Sequence, residues 1–314
     1  MPRHLPPLRV DPQLHERVWG GQRFEAPGKT IGEVWIVWEG DRVVGGPYAR
    51  RTLGELAAEL GPALVGTARH QSTFPLLIKL LDTREWLSIQ VHPDDADAVA
   101  LEGAGYVGKT EAWHVLDAEP GAQLIAGLRP GADRQALAGA LGANTILDLV
   151  AYRSVRAGDT IYIPAGTIHA LGPGLLIYEV QQSSDITYRV FDWNRPPSAG
   201  RPLHLTQTLA VANPAAEVSV LPAPGGPGPA HDELVASSYF VLERLAASTG
   251  WSVELDTGGA SFHALTVVEG RADVVVGDVR EELARFETML VPAATGAYRV
   301  ESPGAFQALL SRLP

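Results

Sequence analysis

The stretch GDTIYIPAGTIHALG, Gly158 to Gly172, decides the fold. Thr160 to Ile163 is a β-branched and aromatic run that reads as a strand. Pro164 and Gly166 end it in a turn, and His169 is presented from the strand that follows. Further strands are predicted on both sides. Downstream they are Leu175 to Gln181 and Ile186 to Phe191. Upstream they are Glu111 to Asp117, Trp86 to Val91, the apolar run FPLLIKLL at Phe74 to Leu81, interrupted by Lys79, and GEVWIVWE at Gly32 to Glu39. Between them, Arg51 to Leu60 has helical spacing with Leu53, Leu56 and Leu60 on one side, Thr52 as N-cap and Glu55 three residues on. Asp94 to Leu101 reads as a short helix, and the Ala- and Leu-rich region Ala132 to Leu149 as the clearest helical segment, divided by Gly139 and Gly142. Helices inserted between the strands of one sheet system predict a mainly β protein, a β-barrel core with helical additions.

The composition agrees. The chain has 314 residues, 46% hydrophobic and 19% charged, the profile of a globular protein with room for two modest domains. Its 33 glycines and 24 prolines suit many short strands joined by tight turns. Cysteine is absent, which removes disulfides and thiolate ligands and fits a reducing, cytoplasmic location. Any metal must be held by His, carboxylate or amide oxygen. No apolar run reaches the roughly 18 residues of a membrane span, and Met1 to Gly20 lacks the pattern of a signal peptide. A net charge of −11 without a Lys/Arg cluster excludes general nucleic-acid binding. An anionic small substrate would need a local basic pocket against that field.

Three further segments carry candidate chemistry. In LSIQVHPDD, Gln90 and His92 are two apart on a strand and project from one face, offering an amide oxygen and an imidazole. In GKTEAWHVLD, Lys109 and Glu111 likewise share a side, so Lys109 can reach any cavity that Glu111 lines. His114 in the same strand reads as structural or surface. YEVQQSSDITYRVFDWNR, Tyr178 to Arg195, contains Glu179, Tyr188, Arg189, Asp192 and Arg195. A buried Arg on such a strand is either an oxyanion clamp or half of a structural Arg–Asp pair.

The spacing Gly158, five residues, Pro164, one residue, Gly166, two residues, His169 matches the second cupin motif. QVHPDD, KTEAWH, IPAGTIHALG and YEVQQSSDITYRVFDWNR together resemble the type I mannose-6-phosphate isomerase family in its short bacterial form. VWGG at Val18 to Gly21 and IGEVW at Ile31 to Trp35 add to the likeness. The resemblance implies a cupin barrel with inserted helices and one zinc per chain, held by His92, Glu111 and His169 with Gln90. It implies Arg189 as the catalytic arginine, Lys109 as a candidate for proton transfer, and Trp19, Lys109 and Arg189 on the substrate side. The implied substrate is a small sugar phosphate, with no nucleic-acid or membrane partner. There are two departures: Pro173 stands where the general cupin motif places Asn, and His114 where the family commonly has an apolar residue. An iron-dependent dioxygenase of the same superfamily would often carry His-X-His where Gln90-Val91-His92 stands. A sugar-phosphate-binding cupin without turnover would not need Lys109 and Arg189 beside every ligand.

The expected domains are a catalytic metal-binding cupin over 1–212, with its helical region at about 130–150, a Pro/Gly-rich linker over 213–231, and a C-terminal cupin-like β domain over 232–314. In the last, FHALTVVEGRADVVVG and ETMLVPAATGAYRVE resemble the two cupin motifs stripped of ligands, with Tyr298 where a ligand might be sought and His263 left alone.

Overall fold

The computed structural model describes residues 5–24, 26–68, 73–196, 200–225 and 228–314. They fall into two compact units, one formed by 14–34 and 79–223, the other by 1–13, 35–78 and 224–314. The chain passes from one unit to the other inside the strands Ile31–Val37 and Leu76–Thr83. The division is therefore interleaved and differs from a cut near residue 212. The reason is pairing: Leu8–Val10 lies beside Thr288–Val291, with Leu8 opposite Leu290, and beside Val43–Val44, so early segments belong to the C-terminal sheet.

The first unit is built on two antiparallel sheets. One has the order Ser219–Leu221, Thr160–Ile163, Glu111–Ala118, Leu175–Gln182, Leu76–Thr83, Gln13–Gly21, Ile31–Val37. The other has the order Tyr188–Phe191, Ile89–Val91, His169–Leu171, Gln123–Leu128, Val150–Ser154. Strand alternation sorts their side chains. Trp113, Val115, Leu124, Ala126, Leu171, Leu175 and Ile177 face inward and pack as one apolar cluster. Ile89, Val91, Ile125 and Ala170 face outward and are covered by Leu137, Leu141, Ile146 and Val211. This is the expected cupin architecture, with helices laid on one face of the barrel.

The expected helical region at about 130–150 is shorter in the fold. The helix is Arg134–Ala143, capped by Asp133 and running through both Gly139 and Gly142. It stops because Asn144 takes the left-handed conformation, φ 57°, and the next residues form only a single 3-10 turn, Ile146–Asp148, before the strand at Val150. The Trp86–Val91 strand is also shorter, Ile89–Val91, while Trp86 packs its indole on Trp193. The strands Gln123–Leu128 and Val150–Ser154 carry no strong sequence signal and exist through pairing. Of the expected linker, Ser219–Leu221 is an edge strand, and residues 226 and 227 lie outside the described residues.

In the second unit, the helix Leu53–Leu60 begins with the capping box read from the sequence. Glu55 N–H donates to Thr52 Oγ1 at 3.1 Å and Thr52 N–H to Glu55 Oε2 at 2.9 Å. Thr52→Ala is expected to lower stability by about 1 kcal/mol, measured by urea denaturation. The C-terminal strands close around Leu245, Leu265, Met289, Tyr298 and Leu310. His263 and Tyr298 meet there, Nδ1 to hydroxyl at 2.8 Å, and satisfy each other. Among the described residues no group of three His, Cys, Asp or Glu converges in this unit.

Candidate active site

Three inward-facing side chains meet inside the first barrel. Glu111 opens its strand on the same face as Trp113, His169 opens the strand after the Pro-Gly turn, and His92 follows Ile89–Val91 in phase with Gln90. Their ligand-type atoms lie within 4.8 Å of one another, and all three residues are buried. Glu111 Oε1 is 3.2 Å from His169 Nε2, and Oε2 is 3.6 Å from His92 Nε2. Both imidazoles are oriented from behind. His92 Nδ1 donates to the Ile186 carbonyl at 2.7 Å and His169 Nδ1 to the Thr167 carbonyl at 2.8 Å. The Nε2 lone pairs are thereby aimed at the carboxylate, the arrangement that metal-binding histidines adopt.

Burial drives the protonation states. It depresses His92 well below the usual imidazole range, helped by Lys109 and His169, and brings His169 down to about 4. Both rings are neutral, as ligation requires. Burial also lifts the Glu111 carboxyl to about 7. Glu111 Oε1 and His169 Nε2 are buried without a hydrogen-bond partner. Two orphaned acceptors converging on one point cost about 1–3 kcal/mol each unless a cation sits among them. The residues fit a divalent metal held by nitrogen and oxygen.

Lys109 stands beside this triad, its Nζ 3.0 Å from Glu111 Oε2 and 3.1 Å from His92 Nε2. Burial alone would lower its pKa, as expected for a desolvated lysine, but Glu111 and Glu179 outweigh burial and raise it. Gln90 lies opposite His169 on one neighbouring strand and opposite Arg189 on the other, so all three share the inner face. Trp19 is buried in the apolar cluster with Leu81 and Trp113. His114 points away from the triad, its Nδ1 2.9 Å from Thr160 Oγ1.

Homology then bears on this geometry. Residues 8–108 match the family model described as phosphomannose isomerase type I, catalytic domain. A mannose-6-phosphate isomerase of Streptococcus mutans is 36% identical over 299 residues, covering 91% of this chain and 92% of that protein. The chain belongs to the mannose-6-phosphate isomerase family. The crystal structure of the Bacillus subtilis mannose 6-phosphate isomerase superposes with a TM-score of 0.84 at 29% identity, over 97% of this chain and 99% of that one. A zinc-bound mannose 6-phosphate isomerase shares the fold at 15% identity, TM-score 0.74, over 96% of this chain and 98% of that one.

Within this member of the family, two further buried charges join the site, Glu179 from the YEVQ segment and Lys79, to which no motif gave a role. Lys79 Nζ is 3.1 Å from Glu179 Oε2, and Glu179 Oε1 accepts from Trp113 Nε1 at 3.0 Å. Burial would raise Glu179, but Lys79 and Lys109 hold the carboxylate low. The Trp113 ring meets the His169 imidazole edge-on, centroids 5.4 Å apart, so the Lys79–Glu179 pair steadies the wall on which His169 rests. The available signal was Lys79 itself, a cation inside FPLLIKLL.

The second Asp of HPDD has a structural task. Asp95 Oδ1 accepts from Gly108 N–H and from Gln182 Nε2, each at 2.8 Å, while Gln182 Oε1 accepts from Thr110 N–H at 2.9 Å. This fastens the segment that carries Lys109 and Glu111. Gly108 is required because a Cβ there would lie 2.5 Å from the Asp94 carbonyl carbon. Asp95→Ala leaves two donors short of an acceptor and is expected to cost about 1–3 kcal/mol. Chemical denaturation checks the stability, and steady-state kinetics the parallel loss in kcat.

The sequence left Arg189 open between a clamp and a structural ion pair. Asp192 is instead paired with Arg195 at 2.8 Å and with Arg201 at 2.7 Å. Arg189, half-buried, has no carboxylate within ion-pair distance among the described residues. Its Nε donates to Ser88 Oγ at 3.2 Å, and Arg201 donates to the same hydroxyl at 3.2 Å. Burial and the charge of Arg201 pull Arg189 below the usual guanidinium range. Ser88, Gln90 and His92 alternate onto one face, so Ser88, to which both guanidiniums donate, lies about 13 Å along the backbone from His92. A cavity of about 640 Å³ lies beside them, lined by Phe191, Asp192, Asn194, Arg195, Arg201 and Pro202 among others.

Proposed function

We propose that this chain is a zinc-dependent isomerase that interconverts mannose 6-phosphate and fructose 6-phosphate. The observation that carries the reading is the buried His92–Glu111–His169 triad with its two orphaned acceptors, set on the same inner face as an arginine that lacks a carboxylate partner among the described residues. Gln90 completes the donor set as an amide oxygen. When bound, the metal supplies Lewis-acid polarisation of the substrate oxygens. The zinc-bound structure that shares the fold supports zinc as its identity.

The reaction moves a proton from C2 of the aldose to C1 of the ketose through an enediolate, with the hydroxyl proton passing from the C2 oxygen to the C1 oxygen. Lys109 stands beside the triad and, in its neutral amine form, is our candidate for accepting the C2 proton and returning it to C1, a role worth about 10²–10⁴-fold. Arg189 stays protonated and acts by charge, and with Arg201 and Ser88 Oγ it offers donors to the anionic end of the substrate. That local excess of positive charge is what an anionic substrate needs in a chain of net charge −11. The apolar barrel interior around Trp19 and Trp113 keeps water from the enediolate.

The test is direct. Purified, zinc-loaded protein is given mannose 6-phosphate, and fructose 6-phosphate is followed in a coupled assay, with glucose 6-phosphate run alongside. Turnover of the mannose substrate alone supports the reading. Turnover of glucose 6-phosphate in its place would reassign the substrate. Binding of both sugars without turnover would make the chain a sugar-phosphate-binding protein.

A further inference from the structure

Arg189 lies on an outermost strand. Tyr188–Phe191 is the edge of the five-stranded sheet, and its inner side pairs with Ile89–Val91, Arg189 facing Gln90. An edge strand presents unpaired backbone groups that need partners. At Arg189 one residue supplies both. The His204 N–H donates to the Arg189 carbonyl at 2.8 Å, and the Arg189 N–H donates to His204 Nδ1 at 3.0 Å. An imidazole thus replaces the carbonyl of a missing strand. Because Nδ1 accepts, the ring is neutral and carries its proton on Nε2. The surroundings agree: burial, then the nearby Arg189 charge, lowers the His204 pKa, against a smaller opposing effect of Glu102.

The same short segment brings the second arginine. Pro202 gives its carbonyl to Arg189 Nη1 at 3.2 Å, and Arg201 reaches Ser88 Oγ. Immediately after His204 the helix Leu205–Val211 begins. His204 is therefore the point where the Arg201-bearing segment is fastened to the strand that carries Arg189.

We propose that His204 is a positioning residue for the anion clamp, its Nδ1 holding the Arg189 backbone and the Arg201 segment in register so that both guanidiniums converge on Ser88. The inference rests on the isomerase reading for its substrate, but not for its geometry. It assigns to the segment 200–204 a part in recognising the phosphate end of the substrate.

Three variants separate this role from simple support of the fold. The Asn side chain carries an oxygen close to the Nδ1 position, whereas Gln carries its oxygen out toward Nε2. His204→Ala and His204→Gln are expected to raise KM for mannose 6-phosphate, and the Kd for inorganic phosphate measured by calorimetry, by about 10-fold, the scale of one lost positioning hydrogen bond. His204→Asn is expected to return both to within about threefold of the parent, with metal content unchanged in all three. Unchanged KM and phosphate affinity in the Ala variant would overturn the proposal. So would equal losses in Asn, Gln and Ala accompanied by a matching fall in metal content and melting temperature. If the parent binds phosphate with this variant pattern but does not isomerise mannose 6-phosphate, the positioning role stands and the isomerase reading falls. If the parent neither turns over the sugar nor binds phosphate, both fall.

Discussion

Stripping the metal from the purified protein is expected to abolish isomerisation, and zinc add-back to restore it, while His169→Ala stays inactive in either state. Within the triad only Glu111 carries charge. His92 and His169 are held neutral by burial, and Glu111 Oε1 has no hydrogen-bond donor. With the cation gone, the Lys109 ammonium at 3.0 Å from Glu111 is the remaining positive group in contact with the carboxylate. The loss of turnover on chelation should reach at least about 10²-fold, the size seen when one preorganised electrostatic contact is removed from an active site. Stability should follow. A metal that binds only the folded state adds roughly 4 kcal/mol at a thousandfold excess over its Kd, so chelation should lower the melting temperature of the parent but leave that of His169→Ala nearly unmoved. Metal analysis with calorimetric melting checks both arms. Undiminished turnover after the metal is shown to be gone would remove the metal from the mechanism.

The second large effect is expected at Arg189. Arg189→Ala should cut kcat/KM by about 10²–10³-fold with metal content intact, because this guanidinium is the member of the arginine cluster not neutralised by Asp192. Arg189→Lys should recover only part of the loss. An ammonium keeps the charge but cannot donate through Nε to Ser88 and through Nη1 to Pro202 at once. Arg195→Lys, a change within the neutralised pair, should cost far less. Steady-state kinetics at matched metal occupancy distinguish the outcomes, and an Arg189→Ala enzyme within threefold of the parent would move the clamp to Arg201.

The two proposals meet at Ser88. A sugar phosphate lying along the inner face would reach from the triad, past Gln90, to the arginines, and its recognition would be spread over strands that are sequentially remote. That explains why so few of the partnerships were legible beforehand. Gln90 with His92, and Lys109 with Glu111, were legible because strand alternation acts over two residues. His169 was legible because the Pro164–Gly166 turn sets the next strand. The capping box at Thr52 and Glu55 was equally local.

What lay beyond the sequence reading is what depends on register. Lys79 and Glu179 are a hundred residues apart and pair because their strands are neighbours in one sheet. Asp95, which opens the helix Asp95–Glu102, and Gln182, which ends the strand Leu175–Gln182, fasten the Lys109 segment from equally remote parts of the chain. Three arginines follow one another in YRVFDWNRPPSAGR, and nothing in their spacing says which two will share Asp192 and which will be left charged. The helical region was overread because Ala and Leu favour helix wherever they stand, while the stop came from a single left-handed Asn144.

The sequence by itself determined the barrel, its turn, the phase of its strands and the residue types of the site, since these follow from backbone sterics and side-chain periodicity over a few positions. The tertiary structure alone decided which charges meet, which acceptors are left orphaned and which early strands complete the C-terminal sheet. Electrostatic partnership and strand neighbourhood are set by the packing of distant segments, and local propensity carries no information about either.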